Sequence, residues 1–364
     1  MPTAVRTLTA RELTVGYFER QLLDRAQPLP AVEAARRLAA LQAQYSTSPH
    51  LALWSRLPGF TTGQLDAALL DGSVVKATLM RGTLHLVPGE DYGHLAAAWR
   101  RQWLTDLRGR HRDAGLDEDE LTASLREFAT VARSAEELRG HLAEASKERI
   151  RPEDLLHFAR ALAPLVHVAP SGHWRAHGKP RFVLWQGELP PEPEATARLV
   201  RRYLAGYGPA SRADIAHFSG LRLRQIDLAL AELGELVRYR DEAGRELLDL
   251  QDAPPVSDPG RELPVRFLPK WDAALLSHAD RTRMLPADIH RQVYRAVNGT
   301  LLASYLVDGR VTGTWAHEAK RGAAVLTLTP LVPHGQRAEL AAEGERLSEF
   351  LEPDAATRTV RFSG

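Results

Sequence analysis

Three times along the 364 residues, stretches with helical spacing run into a pair of short strand-like stretches, and this recurrence narrows the available folds more than anything else. In the first pass Leu13, Tyr17, Phe18 and Leu22 fall at helical spacing over 10–24, before Pro28 and Pro30. A second helix is predicted over 31–44, with Val32, Ala35, Leu38, Ala39 and Leu41 inward. Ser48 before Pro49 reads as an N-cap with proline at the first helical position, opening a helix to Leu57. A short helix over 61–70, ended by Asp71-Gly72, then leads into strand-like residues 74–87 with a bend at Arg81-Gly82. Helices followed by a small antiparallel ribbon are the pattern of a winged helix.

The second pass places helices over 117–131, 135–145 and 152–163 before strands over 165–169 and 181–185. The third places helices over 193–205, 212–218 and 222–233 before strands over 236–240 and 246–250, joined at Glu242-Ala243-Gly244. Ser219-Gly220-Leu221 is a helix-turn-helix signal. A linker over 251–264, rich in Pro, Asp and Gly, closes this part. Strands then dominate, over 265–268, 300–307, 310–315 and 325–328, with Asp308-Gly309 as a two-residue hairpin turn. A helix over 337–351 and a strand over 357–362 follow. The predicted fold is α+β: winged-helix units over 1–115, 116–190 and 191–252, and a β-rich, barrel-like domain over 253–364.

A chain of this length predicts two to four domains, and 44% hydrophobic with 26% charged residues is the balance of a soluble globular protein. No apolar run reaches membrane-spanning length and no signal pattern opens the chain, so a cytoplasmic location is expected. The absence of cysteine excludes disulfides, a thiolate nucleophile and Cys-based metal sites. A net charge of +1 argues against a grossly basic nucleic-acid coat, although balance over a whole chain hides local patches. Only five of the 47 basic residues are lysine, which favours planar, bidentate phosphate contacts.

Familiar catalytic signatures are missing. There is no G-x-S-x-G elbow, and Gly172 to Gly178-Lys179-Pro180 imitates a phosphate loop with one residue too many and proline in the hydroxyl position. His173 and His177 stand at metal spacing, but the glycines and proline around them argue against the helix that spacing needs, so no metal or cofactor is expected. The same tip carries Arg175, Lys179 and Arg181 with Trp174 and no acid; it suits phosphate backbones, or is a solvated loop whose tryptophan packs on its own domain. A second basic run from Trp99 to Arg112 contains one acid, Asp106, and its tryptophans read as core. Arg222 and Arg224 open a helix that either reads a groove or is an ordinary charged helix start. The cluster from His278 to Arg283 reads equally as structural ion pairing or as a functional site.

The least ordinary chemistry is Leu41-Gln42-Ala43-Gln44-Tyr45, predicted at a helix-to-helix junction. Two glutamines there are either a polar helix end or a working pair. Glutamine cannot serve as a general acid or base near neutral pH; it works by orienting a water or presenting a carbonyl dipole to developing positive charge. Such a pair suits a leaving group that is already activated.

Leu41-Gln42-Ala43-Gln44 followed by Leu51-Ala52-Leu53-Trp54, then the block from Thr78 to Leu86, then Val265-Arg266-Phe267-Leu268-Pro269 through Leu276-Ser277-His278-Ala279-Asp280-Arg281, closely resemble the bacterial AlkZ/YcaQ-like DNA glycosylases. The resemblance implies a C-shaped scaffold of three winged helices and a β-barrel whose concave face holds double-stranded DNA. It implies that Gln42 and Gln44 are catalytic, with Ala43 as the apolar residue between them; another branch of the family has aspartate at the second position. It further implies removal of purines alkylated at N7, bulky adducts and interstrand crosslinks included, in repair or in self-resistance to an alkylating toxin. Contacts to DNA are expected from Arg81, His85, His278, Arg281 and Arg283 and from the tip residues Arg175, Lys179 and Arg181. A monomeric, monofunctional enzyme that leaves an abasic site is expected. The chief rival is a non-enzymatic winged-helix transcriptional regulator reading sequence through Arg222 and Arg224; a module for protein assembly is a third reading.

Overall fold

The computed structural model of the chain describes residues 5–255, 258–295 and 299–363. It begins with a short strand, β1 (Arg6–Leu8), and helix α1 (Ala10–Arg20), capped by Thr9 in a reciprocal box with Glu12. Helix α2 (Ala31–Arg37) is shorter than its apolar periodicity predicts: Ala39 turns left-handed (φ 59°) and the chain leaves the helix for β2 (Leu41–Gln42). Helix α3 (Ser48–Arg56) has Thr47, not Ser48, at its N-cap, because the Ser48 hydroxyl is committed to the Lys270 carbonyl at 2.9 Å. Helix α4 (Thr62–Leu70) precedes the hairpin β3 (Val74–Thr78) and β4 (Leu84–Pro88), and α5 (Gly89–Arg110) is a 22-residue helix.

The middle of the chain contributes α6 (Glu118–Phe128), β5 (Arg133–Ser134), α7 (Ala135–Ala145), α8 (Leu155–Leu162), β6 (Leu165–His167) and β7 (Arg181–Leu184). Next come α9 (Glu192–Tyr207), α10 (Arg212–Ser219), α11 (Leu223–Glu232), β8 (Leu236–Asp241) and β9 (Glu246–Leu250). Residues 256 and 257 of the predicted linker lie outside the described residues. The last part holds β10 (Arg266–Leu268), α12 (His290–Val293), β11 (Tyr294–Arg295), β12 (Thr300–Leu301) and β13 (Ser304–Val307). It ends with β14 (Arg310–Lys320), β15 (Ala323–Pro330), α13 (Arg337–Leu351) and β16 (Thr357–Phe362).

Each recurring hairpin gains a third strand from outside itself. β2 joins β4 antiparallel, β5 joins β7 antiparallel, and β1, from the start of the chain, joins β8 in parallel. In the C-terminal sheet, ordered β10-β13-β14-β15-β16, Asp308 and Gly309 both take left-handed φ, as a tight hairpin turn requires. That sheet is open, with β10 and β16 at its edges, which corrects the barrel-like expectation. The physical reason is α13, which lies between β15 and the parallel β16 and supplies Leu340, Leu347 and Leu351 to cover the apolar face that closure would otherwise bury.

Packing crosses these segments. Leu53 and Trp54 of α3 and Ala34 and Ala35 of α2 share a core with Phe267, Tyr305, Leu326 and Leu328 of the C-terminal sheet. Tyr17 and Phe18 of α1 pack instead with Tyr203 and Tyr207 of α9. No described helix is long and apolar enough to cross a membrane.

Candidate active site

Gln42 and Gln44 do not close a helix. Gln42 lies on β2 opposite His85 of β4, and the Ala43 N–H extends the pairing by donating to the Leu84 carbonyl at 2.8 Å. This corrects the predicted helix-to-helix junction: Gln42 closes the strand and Gln44 follows in a bend just past it. The pair differs in depth: Gln42 is buried and Gln44 exposed. The Gln44 Oε1 accepts at long range, 3.5 Å, from the Leu84 N–H, and the Gln42 amide has no hydrogen-bond partner among the described residues.

Behind Gln42 lies a recess of about 10 Å³, bounded by Leu38, Ala40, Ser48, Arg56, Tyr207, Trp271 and Asp272 among others. Its floor is an ion pair: Arg56 donates to both carboxylate oxygens of Asp272, at 2.9 and 2.8 Å, with both side chains almost fully buried. Burial works against the guanidinium charge, but Asp272 outweighs it and raises the Arg56 pKa. Tyr207 donates to the Leu38 carbonyl at 2.9 Å, and Gln21 to the Gly206 carbonyl at 2.7 Å. On the open side Lys270 sits over the Tyr45 ring, 5.2 Å from its centroid, both residues exposed. Sequence reasoning missed Arg56, Lys270, Trp271 and Asp272. The available signals were an arginine closing the apolar helix α3, and a Lys-Trp-Asp triplet directly after Pro269 in a block already singled out.

The residues expected at DNA are scattered over several environments. His85 is buried, its Nδ1 3.0 Å from the Thr83 carbonyl, and burial, with the Arg81 charge adding to it, pushes its pKa down to about 3. It is thus a neutral neighbour of Gln42 across the sheet. Arg81, half-buried with left-handed φ, donates to the Phe218 carbonyl and lies against the Phe218 ring, tying β4's approach to α10. Arg175 is paired with Glu352 at 2.7 Å and with the Leu351 carbonyl, so the tip is fastened to the end of α13. Lys179 and Arg181 are exposed and face Glu136 and Glu137, at 2.7 and 3.7 Å.

His278 stands edge-on to Tyr17, takes a hydrogen bond with Ser277 at 3.0 Å, and is held neutral by burial and the Arg283 charge against the pull of Asp214. Arg281 and Arg283 lie over the rings of Tyr294 and Tyr17. His278 and Arg283 reach a groove of about 760 Å³, where Arg11, Arg245 and Arg310 are answered by Asp214, Asp241, Glu242, Asp280 and Asp308. With Arg283 the groove has four arginines against five carboxylates, which gives no net pull on phosphate. Arg222 and Arg224 are exposed at the start of α11, Arg222 3.8 Å from Asp106. The basic run on α5 is largely paired, Arg101 with Glu192, Arg108 with Glu118 and Arg110 with Asp154, and Trp99 and Trp103 pack together 4.1 Å apart.

Comparison with known proteins places the chain among the DNA glycosylases, which are hydrolases. The family described as DNA glycosylase AlkZ-like matches residues 35–350, and the chain belongs to that family. A protein of Streptomyces sahachiroi named interstrand DNA cross-link repair glycosylase is 26% identical over 325 residues, covering 84% of this chain and 87% of that one. The solved structure of Streptomyces sahachiroi DNA glycosylase AlkZ superposes with a TM-score of 0.78 at 22% identity, covering 98% of this chain and all of that one. The repair-enzyme reading therefore prevails over that of a non-enzymatic regulator, and DNA is the substrate.

Proposed function

We propose that the chain hydrolyses the N-glycosidic bond of purines alkylated at N7, bulky guanine adducts and interstrand crosslinks included, and leaves an abasic site. One observation carries this. Of the residues bounding the recess behind Gln42 the single carboxylate is Asp272, and both its oxygens are held by Arg56. The one phenol, Tyr207, has its pKa raised far above the usual range by burial, and its proton is committed to Leu38. A site that offers amides and no free acid suits a base that needs no protonation to leave, and N7 alkylation gives the base its own positive charge.

In this reading Gln44, on the exposed side, aims a water at C1′, while Gln42 orients that water or faces the oxocarbenium-like sugar. Oriented dipoles of this kind supply a few kcal/mol of transition-state stabilisation. The three helix-and-ribbon segments act as winged helices, and with the C-terminal sheet they curve around duplex DNA as a monomer. Lys179, Arg181, Arg222 and Arg224 are among the exposed cations that would meet the backbone. The name of the Streptomyces sahachiroi relative supports crosslinks as substrates.

The test is single-turnover excision from N7-methylguanine DNA, read by alkaline strand cleavage. Gln42→Ala and Gln44→Ala are each expected to slow excision by about 100-fold, the scale of losing one oriented group. Wild-type rates in both variants remove the pair from catalysis. DNA carrying hypoxanthine, a neutral base, is expected to resist; excision at a comparable rate overturns the substrate assignment.

A further inference from the structure

The polar groups around the recess behind Gln42 are nearly all spoken for. Asp272 is filled by Arg56 and by the Ala274 N–H, Tyr207 by Leu38, Ser48 by Lys270 and the Gln21 amide nitrogen by Gly206. Three groups stand apart. The Arg56 Nε and the Trp271 Nε1 are shut off from solvent with no hydrogen-bond partner, and the Gln42 amide has none among the described residues. All three residues line the same recess, whose volume of about 10 Å³ matches one water.

Two buried N–H donors without acceptors are expensive, because each has given up its hydration with no hydrogen bond in exchange. Trp271 is moreover held at φ 63°, a left-handed conformation rare for a bulky aromatic residue and found where a site over-determines the backbone. The over-determination is visible: the Lys270 carbonyl is pinned by Ser48, the Asp272 N–H by the Pro269 carbonyl at 3.3 Å, and the Asp272 side chain by Arg56.

We propose that Arg56 and Trp271 form a buried water site that positions Gln42. One water accepts from the Arg56 Nε–H and the Trp271 Nε1–H and donates to the Gln42 Oε1. With its carbonyl engaged inward, Gln42 turns its NH₂ outward. That chooses between the two roles left open above: Gln42 acts as a donor that orients the attacking water, not as an acceptor facing the sugar. Trp271 is a positioning residue, acting through Gln42. This inference rests on the reading of Gln42 as catalytic.

The experiment compares wild type with Trp271→Phe, Gln42→Ala, Gln42→Glu and the double variant Trp271→Phe/Gln42→Ala on N7-methylguanine DNA. Trp271→Phe keeps the ring and removes the N–H; its single-turnover rate is expected to fall about tenfold, some 1.4 kcal/mol, with DNA affinity unchanged. Once Gln42 is alanine, Trp271→Phe is expected to cost nothing further. Gln42→Glu, which keeps an inward acceptor and loses the outward donor, is expected to be as slow as Gln42→Ala. By NMR, the Trp271 indole N–H is expected to exchange slowly with solvent and to shift in Gln42→Ala, a measurement that holds even if Trp271→Phe folds poorly. A wild-type rate in folded Trp271→Phe, additive losses in the double variant, or a freely exchanging indole overturns the water site while the catalytic pair stands. Full activity of Gln42→Ala overturns the proposed function first.

Discussion

At the scale of single residues, the site is held by a charge pair more than by the glutamines themselves. Arg56 and Asp272 are 2% and 1% exposed and join α3 to the segment that carries Trp271. Removing one partner strands the other as an uncompensated buried charge, a loss of about 3–5 kcal/mol, whereas replacing both with apolar residues costs far less. Asp272→Ala is therefore expected to lower the urea midpoint sharply, and Arg56→Met with Asp272→Leu to recover most of it. Equal midpoints for wild type and Asp272→Ala would show that the pair does not hold the fold. The glutamine pair was legible in the sequence as a type and a spacing. Its geometry was not, because Leu38, Ala39 and Leu41 continue a helical apolar pattern that only the left-handed turn at Ala39 interrupts, and alanine gives no local signal for such a turn.

At the scale of elements, the long hairpins could be read, and the strands added to them and the cap of α3 could not. The helices Ala135–Ala145 and Arg337–Leu351 and the strands Glu246–Leu250 and Thr357–Phe362 carry local periodicity and sit where it predicts. The two-residue strands β2 and β5 are too short to show any period, and the 22-residue α5 was read only as a basic run because its arginines mask the spacing of Tyr92, Leu95, Trp99 and Leu107. A different kind of fit joins α9 to the end of α2. A Cβ on Gly206 would meet the Arg37 carbonyl at 2.6 Å, backbone that cannot swing aside. Gly206→Ala is expected to push the helices apart at a cost of about 1–3 kcal/mol. Calorimetry would show a melting temperature several degrees lower, together with weakened excision, since the Gly206 carbonyl also anchors Gln21 beside the recess. An unchanged melting temperature would mean that the helices are free to slide.

For the whole molecule, acidity is the sensitive variable. His85, His167 and His278 are each pushed down to about 3 by burial, with Arg81 adding at the first, Lys76 and Arg160 at the second, and Arg283 opposed by Asp214 at the third. A histidine depressed in the folded state takes its proton first in the unfolded chain, near pH 6.5. Its contribution is therefore complete above that pH and lost as pH falls toward 3, at about 1.4 kcal/mol per unit for each group. Urea midpoints are expected to be flat from pH 8 to 7 and to drop steeply between 6 and 4, less steeply in His85→Gln; a flat profile down to pH 4 would contradict the burial of these rings.

The strand β1 also bears on how the molecule comes into being. It lies in parallel register with β8, and just beyond it the Ala10 N–H donates to the Glu242 carboxylate, 232 residues onward, at 2.9 Å. During translation this edge has to wait, unpaired, while the ribosome makes almost two thirds of the chain, and a nascent polypeptide stalled before Tyr239 has nothing to receive it.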